Sequence, residues 1–349
     1  MKLATRKDDT RDGQLTVVSR DLKHAVIAEQ ITGSLQRALD DWRFIAPQLQ
    51  DLYDRLNQGK APNAFDFDPR EYLAPLPRAF QRVQAHAWPA AERRLRQAQM
   101  APAGGDDTLL HLQVAPSHTF MPGHAPVSLR FPVGLEEDGD EDGDSPPPPP
   151  SPARPAPADP MLGGLDFSAQ LIAICDDLPV DLDEDSAERH ILLLGLANAW
   201  HIHAAPPFAR QHARDRGMAV APVLLTPDEL GEDWREGRIH RPLHCRLNGR
   251  STGRIQAGND MRFDFRKLVT ALAQQTPVGA GCVLASGPIA NDDPDSGWSS
   301  LLEARARRQL EGSDQPGPAF MQPGDRIRID MADAKGHSLF GSIDQVVVA

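Results

Sequence analysis

The sequence contains few cysteines and no long apolar segment. Its three cysteines, at positions 175, 245 and 282, are odd in number and far apart, which excludes a disulfide framework and a zinc-binding pattern. No stretch approaches the roughly 18–20 apolar residues of a membrane-spanning helix, and residues 1–8 lack the apolar core of a secretory signal. We therefore expect a protein of the reducing cytoplasm that does not interact with a membrane.

The sequence also lacks an excess of basic residues. Lysine and arginine number 37 against 49 aspartates and glutamates, which gives a formal net charge of −12. Seven of the acidic residues lie in residues 136–144, where there is no basic residue. The remainder has the mild negative charge of an ordinary acidic protein, so nothing in the charge balance predicts binding to nucleic acid.

The first 75 residues are predicted to form a small α+β domain. Short strands are expected over residues 2–6, 14–19 and 25–29, and a first helix is expected to begin near Ser34. Pro47 is expected in the first turn of a second helix, which ends before Gly59. Prolines at positions 69, 75 and 77 mark a domain boundary near residue 75, and residues 76–133 would begin the main domain.

Residues 134–160 differ in composition from the rest of the chain. An acidic run passes into five consecutive prolines at 146–150 and then into alternating serine, proline and alanine. Such a segment has few apolar side chains to bury, so we expect a disordered insert that is dispensable for folding. Two interpretations remain open, a tolerated surface insertion and a docking segment for a proline-binding partner.

Residues 161–349 show the pattern of a mainly β domain. The continuous apolar run at 191–196 indicates a strand buried on both faces, and Asn248-Gly249 is a strong hairpin signal. A short helix is expected over residues 266–274. Further strands are predicted over residues 165–175, 243–247, 282–285, 326–331 and 343–348.

Several short motifs in this region occur in a specific order and spacing. They are Leu-Thr-Pro-Asp-Glu-Leu-Gly at 225–231, Asn-Asp-Met-Arg-Phe at 259–263, Ala-Ser-Gly at 285–287, Gly-Trp-Ser at 297–299, Pro-Gly-Asp-Arg-Ile at 323–327 and Phe-Gly-Ser-Ile at 340–343. Together they resemble the fumarylacetoacetate hydrolase family, in particular its bacterial branch in aromatic amino-acid breakdown, and residues 1–78 resemble the N-terminal domain of that branch. The resemblance implies an α+β, mainly β fold, a mixed β-sandwich roll with a small N-terminal domain, and a homodimer.

The resemblance also implies a metal site that this sequence has altered. Family members hold magnesium or calcium with an early Asp, two Glu of an Asp-Phe-Glu-x-Glu strand and a later Asp. Here the strand reads Asp-Phe-Ser-Ala-Gln at 166–170, so the two glutamates fall on Ser168 and Gln170. The later Asp falls on Leu196. We expect these three residues to lie together around a pocket that binds no metal, because Mg²⁺ depends on charged oxygen ligands.

Other functional positions of the family are substituted as well. Its arginine falls on Trp200, its lysine near Asp215 and its threonine on Pro288, while the Asn-His pair expected after Trp88 reads Pro-Ala-Ala. His118 or Thr119 stands where the early Asp is expected. Asp166 and Gly287 match the family as structural residues.

Glu303 alone matches a catalytic residue of the family, the partner of its histidine. It would either act as or orient a general base, or serve as a structural carboxylate paired with an arginine. The favoured hypothesis is a non-catalytic family member with a binding or assembly role, as a homodimer or in a heteromer with an active paralogue. The alternatives are an active hydrolase that cleaves a carbon–carbon bond of a diketo acid, and a metal-independent lyase or isomerase that uses Glu303 with a histidine such as His118.

Other motifs point to no further chemistry. His201 and His203 would share one face of an extended strand, but no carboxylate or cysteine joins them at metal-binding spacing, so we expect a partly exposed pair. Gly-Ala-Gly at 279–281 leads into a strand and is no dinucleotide loop, and no Gly-x-Ser-x-Gly sequence occurs. The acidic run would bind calcium at most loosely, since a disordered segment provides no fixed coordination geometry.

Overall fold

The computed structural model describes residues 1–101, 106, 108–117, 119–128, 164–203, 215–274, 276–313 and 317–349. The predicted α+β class with more strand than helix is confirmed. The helices are α1 (Leu35–Asp40), α2 (Trp42–Asn57), α3 (Pro89–Gln97), α4 (Glu184–Ala187), α5 (Phe265–Leu272) and α6 (Leu301–Leu310). The strands are β1 (Lys2–Arg6), β2 (Gln14–Val18), β3 (His24–Ile27), β4 (Phe65–Asp66), β5 (Gln81–Ala85), β6 (Leu112–Ala115), β7 (Phe120–Pro122), β8 (Val127–Ser128), β9 (Leu165–Cys175), β10 (Ile191–Ile202), β11 (Asp215–Val220), β12 (Leu224–Leu225), β13 (Trp234–Arg235), β14 (Arg238–Ile239), β15 (Pro242–Leu247), β16 (Arg250–Gln256), β17 (Cys282–Ala285), β18 (Arg326–Met331) and β19 (Ile343–Val348).

The N-terminal helices follow the predicted pattern with one correction. Helix α1 is capped by Ser34, whose side chain accepts a hydrogen bond from the backbone N–H of Arg37 at 3.4 Å. Helix α2 begins at Trp42, so the prediction that Pro47 lies in its first turn is wrong. Proline at this position removes one backbone hydrogen bond, and the burial of Ile45 and Leu49 against the sheet stabilises the helix across it.

One large sheet connects the N-terminal strands with the main part of the chain. Its order is β4-β3-β2-β1-β12-β10-β9-β17-β5-β6, with β11 beside β10 and β7 beside β11. The link is the antiparallel pair of β1 and β12, in which Lys2 lies opposite Leu225. Apolar side chains of α1 and α2 cover one face of this sheet. The domain boundary near residue 75 stays a prediction.

The central hairpin of this sheet is longer than the sequence pattern predicted. Strand β9 is buried at every position, and β10 runs from Ile191 to Ile202, although the apolar run ends at Leu196. The strand continues beyond the apolar run because its buried polar side chains form hydrogen bonds with another part of the chain. Asn198 and Trp200 both donate hydrogen bonds to Gln345 Oε1, at 3.3 and 2.9 Å.

A second sheet of five strands has the order β16-β15-β18-β19-β8. The predicted hairpin is confirmed, with Asn248 and Gly249 at φ of 51° and 79° between β15 and β16. The inner face contributes Leu243, Ile327 and Ile343 to the main core, and the outer face carries exposed and partly exposed residues. Among the described residues no helix is long and apolar enough to cross a membrane.

Candidate functional site

The register of β9 and β10 decides which residues share a face of the sheet. Ser168 lies directly opposite Ala199, and Gln170 lies opposite Ala197. Directly opposed residues of an antiparallel pair point to the same side, and successive residues alternate. Ser168 and Gln170 therefore share one face, as predicted.

Leu196 and Trp200 lie on the other face of the same sheet. Leu196 is opposite Leu171 and Trp200 is opposite Phe167, and all four side chains belong to the main apolar core. The prediction that Leu196 lies with Ser168 and Gln170 around one pocket is wrong. On β10, the positions that face Ser168 and Gln170 are occupied by the buried residues Ala199 and Ala197.

The polar side-chain atoms of Ser168 and Gln170 form hydrogen bonds with neutral groups of the protein. The amide oxygen of Gln170 accepts hydrogen bonds from Gln84 Nε2 at 2.9 Å and from the backbone N–H of Gly287 at 3.2 Å. Its Nε2 donates to Ser168 Oγ at 3.2 Å. Ser168 and Gln170 are 3% and 1% exposed. We call these residues, Gln84, Ser168, Gln170 and Gly287, the amide cluster.

The amide cluster does not fit a divalent metal ion. Mg²⁺ and Ca²⁺ require several oxygen ligands, and Mg²⁺ in particular depends on carboxylates to replace tightly held water. The cluster offers one hydroxyl and two amide oxygens, all of them neutral. Ser168 Oγ and Gln170 Oε1 already accept hydrogen bonds, and only Gln84 Oε1 has no partner among the described residues. Within the described part of the chain no group of three or more His, Cys, Asp or Glu side chains could hold a metal ion.

Asp166 anchors the end of β9 to helix α6. Its two carboxylate oxygens accept hydrogen bonds from the backbone N–H groups of Leu301 and Leu302 at 2.7 and 3.0 Å. Oδ2 also contacts His203 Nε2 at 3.0 Å. An anionic side chain at a helix N-terminus satisfies free N–H groups and interacts favourably with the helix dipole. His203 thus has a carboxylate partner, and its ring centroid lies 6.5 Å from that of His201.

Glu303 lies in a buried cluster with two arginines. Its Oε1 accepts hydrogen bonds from Arg94 Nη1 at 2.9 Å and from Nε and Nη2 of Arg307 at 3.1 and 3.0 Å. Glu303 is 1% exposed. Both arginines also donate to the carbonyl oxygen of Asn291, so the carboxylate connects α3, α6 and the loop at residue 291. We call Arg94, Glu303 and Arg307 the buried arginine cluster.

Within this cluster, burial and the neighbouring charges shift the pKa of Glu303 in opposite directions. Burial raises the pKa of Glu303, and the guanidinium groups of Arg307 and Arg94 oppose that rise. Burial and the nearby charge of Arg307 lower the pKa of Arg94. Two cations around one carboxylate keep Glu303 ionised, with every contact it makes directed at an arginine or at the backbone of Ser299. These contacts match the second interpretation of Glu303, a carboxylate paired with arginines, and its catalytic role stays a prediction.

A histidine–carboxylate pair that the sequence reasoning missed lies beside the amide cluster. His86 Nδ1 is 2.8 Å from Glu92 Oε1, and both side chains are about one third exposed. This contact lowers the pKa of Glu92. Gly287, at φ of 83°, lets the two segments approach closely, because a Cβ there would lie 2.5 Å from the carbonyl oxygen of Ala85. The available signal was a histidine just before a helix that begins at Pro89 and carries an acidic residue in its first turn.

The remaining predicted positions lie at several places. Pro288 directly follows Gly287, so it borders the amide cluster, and Asp215 begins β11 opposite His201. Thr119 lies next to β7, and its hydroxyl donates to the carbonyl oxygen of Pro116 at 3.3 Å. His118 and the insert at residues 134–160 lie outside the described residues.

Comparisons with known proteins assign the chain to one family. The model of the fumarylacetoacetase N-terminal domain 2 matches residues 1–78, and the model of the fumarylacetoacetate (FAA) hydrolase C-terminal domain matches residues 152–348. No curated protein matched the sequence.

Solved structures share the fold at low sequence identity. A putative HpcE protein from Mycobacterium smegmatis has a TM-score of 0.63 at 14% identity, covering 100% of this chain and 99% of that one. Maleylpyruvate hydrolase from Sphingobium sp. SYK-6 gives 0.60 at 13%, with the same coverage, and has also been solved in complex with manganese (II) ion and pyruvate. Fumarylacetoacetate hydrolase from Exiguobacterium antarcticum gives 0.60 at 16%, again covering 100% and 99%. One family model matches the N-terminal part of the chain, and the other matches more than half of its length. The chain therefore belongs to the fumarylacetoacetate hydrolase family.

Proposed function

We propose that this chain is a member of the family without metal-dependent hydrolase activity, with a binding or assembly role. The observation that carries the proposal is the amide cluster. At the two strand positions where the family resemblance places glutamates, the chain has a serine and a glutamine that bond each other, Gln84 and Gly287.

The neighbouring strand supports the same proposal. A third carboxylate could meet Ser168 and Gln170 only from a position on their face of the sheet, which on β10 means Ala197 or Ala199. We propose that Ala199, rather than Leu196, stands at the position of the later Asp of the family. The family arginine four residues beyond then falls on His203, which bonds Asp166.

The hydrogen bonds of Glu303 also support the proposal that the chain is not a hydrolase. A general base must reach a proton of the substrate, and a histidine partner must be within hydrogen-bond distance. Among the described residues Glu303 bonds two arginines and no histidine. The hypothesis of a catalytic pair between Glu303 and a histidine therefore has no geometric support from these contacts.

The assembly part of the proposal follows the family resemblance. We expect a cytoplasmic homodimer in a bacterial pathway of aromatic amino-acid breakdown, with a heteromer of this chain and an active paralogue as the alternative. A binding role needs the rigid framework of the fold and does not need the lost carboxylates.

The unmodified protein is expected to bind no Mg²⁺ or Ca²⁺ at millimolar concentration. Calorimetric titration should give no heat beyond dilution, and the melting temperature should be the same in 5 mM EDTA and in ~5 mM Mg²⁺, because a ligand stabilises only the state that binds it. Saturable Mg²⁺ binding, or cleavage of an acylpyruvate that a chelator stops, would contradict the proposal. Either result would favour the active hydrolase, with ligands from parts of the chain not yet assigned.

The His86–Glu92 pair favours a second candidate function, a metal-independent lyase or isomerase. An imidazole held by a carboxylate is a suitable general base, and this one is about one third exposed, so a substrate could reach it. In this candidate His86 removes a proton next to a carbonyl, and Glu92 orients the ring and stabilises its charged form.

Deuterium exchange tests this second candidate. The methyl protons of pyruvate in D₂O with EDTA should exchange in the presence of the unmodified protein, as followed by NMR. His86→Gln should lower the exchange rate by about 100-fold or more, the range of general-base catalysis. His337→Gln, at an exposed histidine that also pairs with a carboxylate, serves as the control. Absence of exchange in the unmodified protein, or an unchanged rate in His86→Gln, would remove this candidate.

A further inference from the structure

Strand β6 forms one edge of the large sheet. Among the described strands it pairs only with β5, in an antiparallel pair that places Val83 opposite Val114 and Gln84 opposite Gln113. This pair uses the backbone hydrogen-bonding groups on one side of β6. Within the described part of the chain, the N–H and C=O groups on its other side face no strand, and such an edge can accept a further strand.

The other edges of the described sheets are short, or another segment covers them. Strand β4 has two residues and ends at Asp66, whose side chain is 98% exposed. Strand β7 has three residues and ends at Pro122, which has no N–H to donate. In the smaller sheet, β8 has two residues, and β16 is paired at Gly253 with the segment at Gly297. Short strands, charges and prolines protect sheet edges from pairing with other chains.

The side chains in and around β6 provide no such protection. Residues 108–117 contain no lysine, arginine, aspartate or glutamate. Val114 is 64% exposed and Leu109 is 57% exposed, while Leu112 is partly buried against the main core. An uncharged edge strand with exposed apolar side chains is a surface that favours pairing with another strand.

The alternation of side chains along β6 makes this edge complementary to itself. Leu112 and Val114 lie on one face of the strand, and Gln113 lies on the other. When two copies of β6 pair antiparallel about Gln113, Leu112 of each chain lies opposite Val114 of the other. The two Gln113 side chains then lie directly opposite each other on the second face, where each amide can donate and accept a hydrogen bond.

The sequence after β6 limits the length of this pair. Pro116 follows the strand and has no N–H, so it ends the ladder of hydrogen bonds. In the arrangement about Gln113, the paired segment therefore runs from His111 to Ala115 in each chain. Standard interfaces use roughly 20–30 residues of each partner. A dimer held mainly by β6 should therefore be weak, and its population should depend on concentration.

We propose that two copies of this chain associate through β6, in an antiparallel pair about Gln113 that joins their large sheets. This inference rests on the homodimer of the proposed function and adds where its subunits meet. A second copy is favoured over another protein because the same strand supplies both the free backbone groups and an apolar partner for Val114. A pair about one central residue has two-fold symmetry, so it closes as a dimer and does not continue into a fibre.

Sedimentation velocity at roughly 1 to 100 μM protein measures this association. The dimer fraction of the unmodified chain should rise with concentration. Val114→Lys should weaken the association at least tenfold, because each lysine would lose water against Leu112 of the other chain. The matched control is Val346→Lys, which changes the charge equally at a valine of β19 that is 38% exposed. This control should associate like the unmodified chain.

A charge exchange at Gln113 tests the symmetry of the pair. Gln113→Glu and Gln113→Lys should each weaken self-association at least tenfold, because like charges then lie directly opposite each other. An equal mixture of the two variants should associate at least as strongly as the unmodified chain, since opposite charges then meet. Gln113 and Val114 are both exposed, so each variant should keep its melting temperature within a few degrees.

The outcomes separate this inference from the homodimer itself. A dimer that Val114→Lys and both Gln113 variants leave unchanged would overturn the assignment to β6 and leave the homodimer in place. A monomer over the whole concentration range would contradict both. Equal weakening by Val346→Lys would overturn the assignment to β6, and a mixture of the Gln113 variants that associates no better than either alone would overturn the pair about Gln113.

Discussion

Replacing Glu303 by glutamine is expected to lower the free energy of unfolding by about 3–5 kcal/mol, the cost of removing one partner from a buried ion pair. The substitution keeps the size of the side chain but leaves the guanidinium groups of Arg94 and Arg307 buried without a counter-charge. Carbonyl oxygens of Asn291 and Pro294 still accept hydrogen bonds from them, so the protein should remain folded at room temperature. Urea denaturation measures the change.

A matched control is available at the C-terminal end of the same helix, where Glu311 is the C-cap. Glu311 pairs with Arg308 at 3.5 Å, and both side chains are about half exposed. Glu311→Gln should change the free energy of unfolding by less than about 1 kcal/mol, as for other surface ion pairs. If Glu303→Gln were as stable as the unmodified protein, and any purified activity were lost with it, the catalytic interpretation of Glu303 would be restored.

Glu303 shows which part of the candidate site could be predicted from the sequence. The sequence identified Glu303 through its family motif and left open whether it is catalytic or structural. That question depends on Arg94, which lies 209 residues away along the chain and reaches Glu303 only because α3 packs on α6. Helical spacing alone would have identified Arg307, four residues beyond Glu303, as a partner of this carboxylate.

Strands were predictable where the pattern is local. The strands at 282–285, 326–331 and 343–348 have the predicted bounds. A short apolar run determines the first, and alternation of apolar and polar residues determines the other two. The Asn-Gly hairpin depends on two residues that adopt positive φ. The position of Pro47 was missed because burial of the flanking residues of α2 overrides a local preference.

The error at Leu196 has a different cause. Which residues of two strands share a face depends on their register, and a shift by one residue moves every side chain to the opposite face. The apolar run at 191–196 gives no information on this register, because both faces of β10 are buried. The register became visible only from the pairing of Ser168 with Ala199.

Restoring carboxylates at the positions that the register selects should create a cation site. The variant Ser168→Glu, Gln170→Glu, Ala199→Asp places three carboxylates on one face of β9 and β10. In EDTA it should melt several degrees below the unmodified protein, because like charges then converge in a buried site. Millimolar Mg²⁺ or Mn²⁺ should restore most of the loss and give a saturable calorimetric signal. Hydrolysis is not expected to return, because this chain has other residues at the positions that the resemblance assigns to the family lysine, threonine and histidine.

The decisive comparison moves the third carboxylate by three residues. In the variant Ser168→Glu, Gln170→Glu, Leu196→Asp, the new side chain points into the apolar core, where Leu196 is 0% exposed. A buried carboxylate without a partner costs several kcal/mol, and a metal ion on the opposite face cannot compensate for it. This variant should be strongly destabilised and should gain nothing from Mg²⁺, while the double variant Ser168→Glu, Gln170→Glu provides the baseline. Cation-dependent stabilisation with Asp at 196 and none with Asp at 199 would show that the assignment of the third position to Ala199 is wrong.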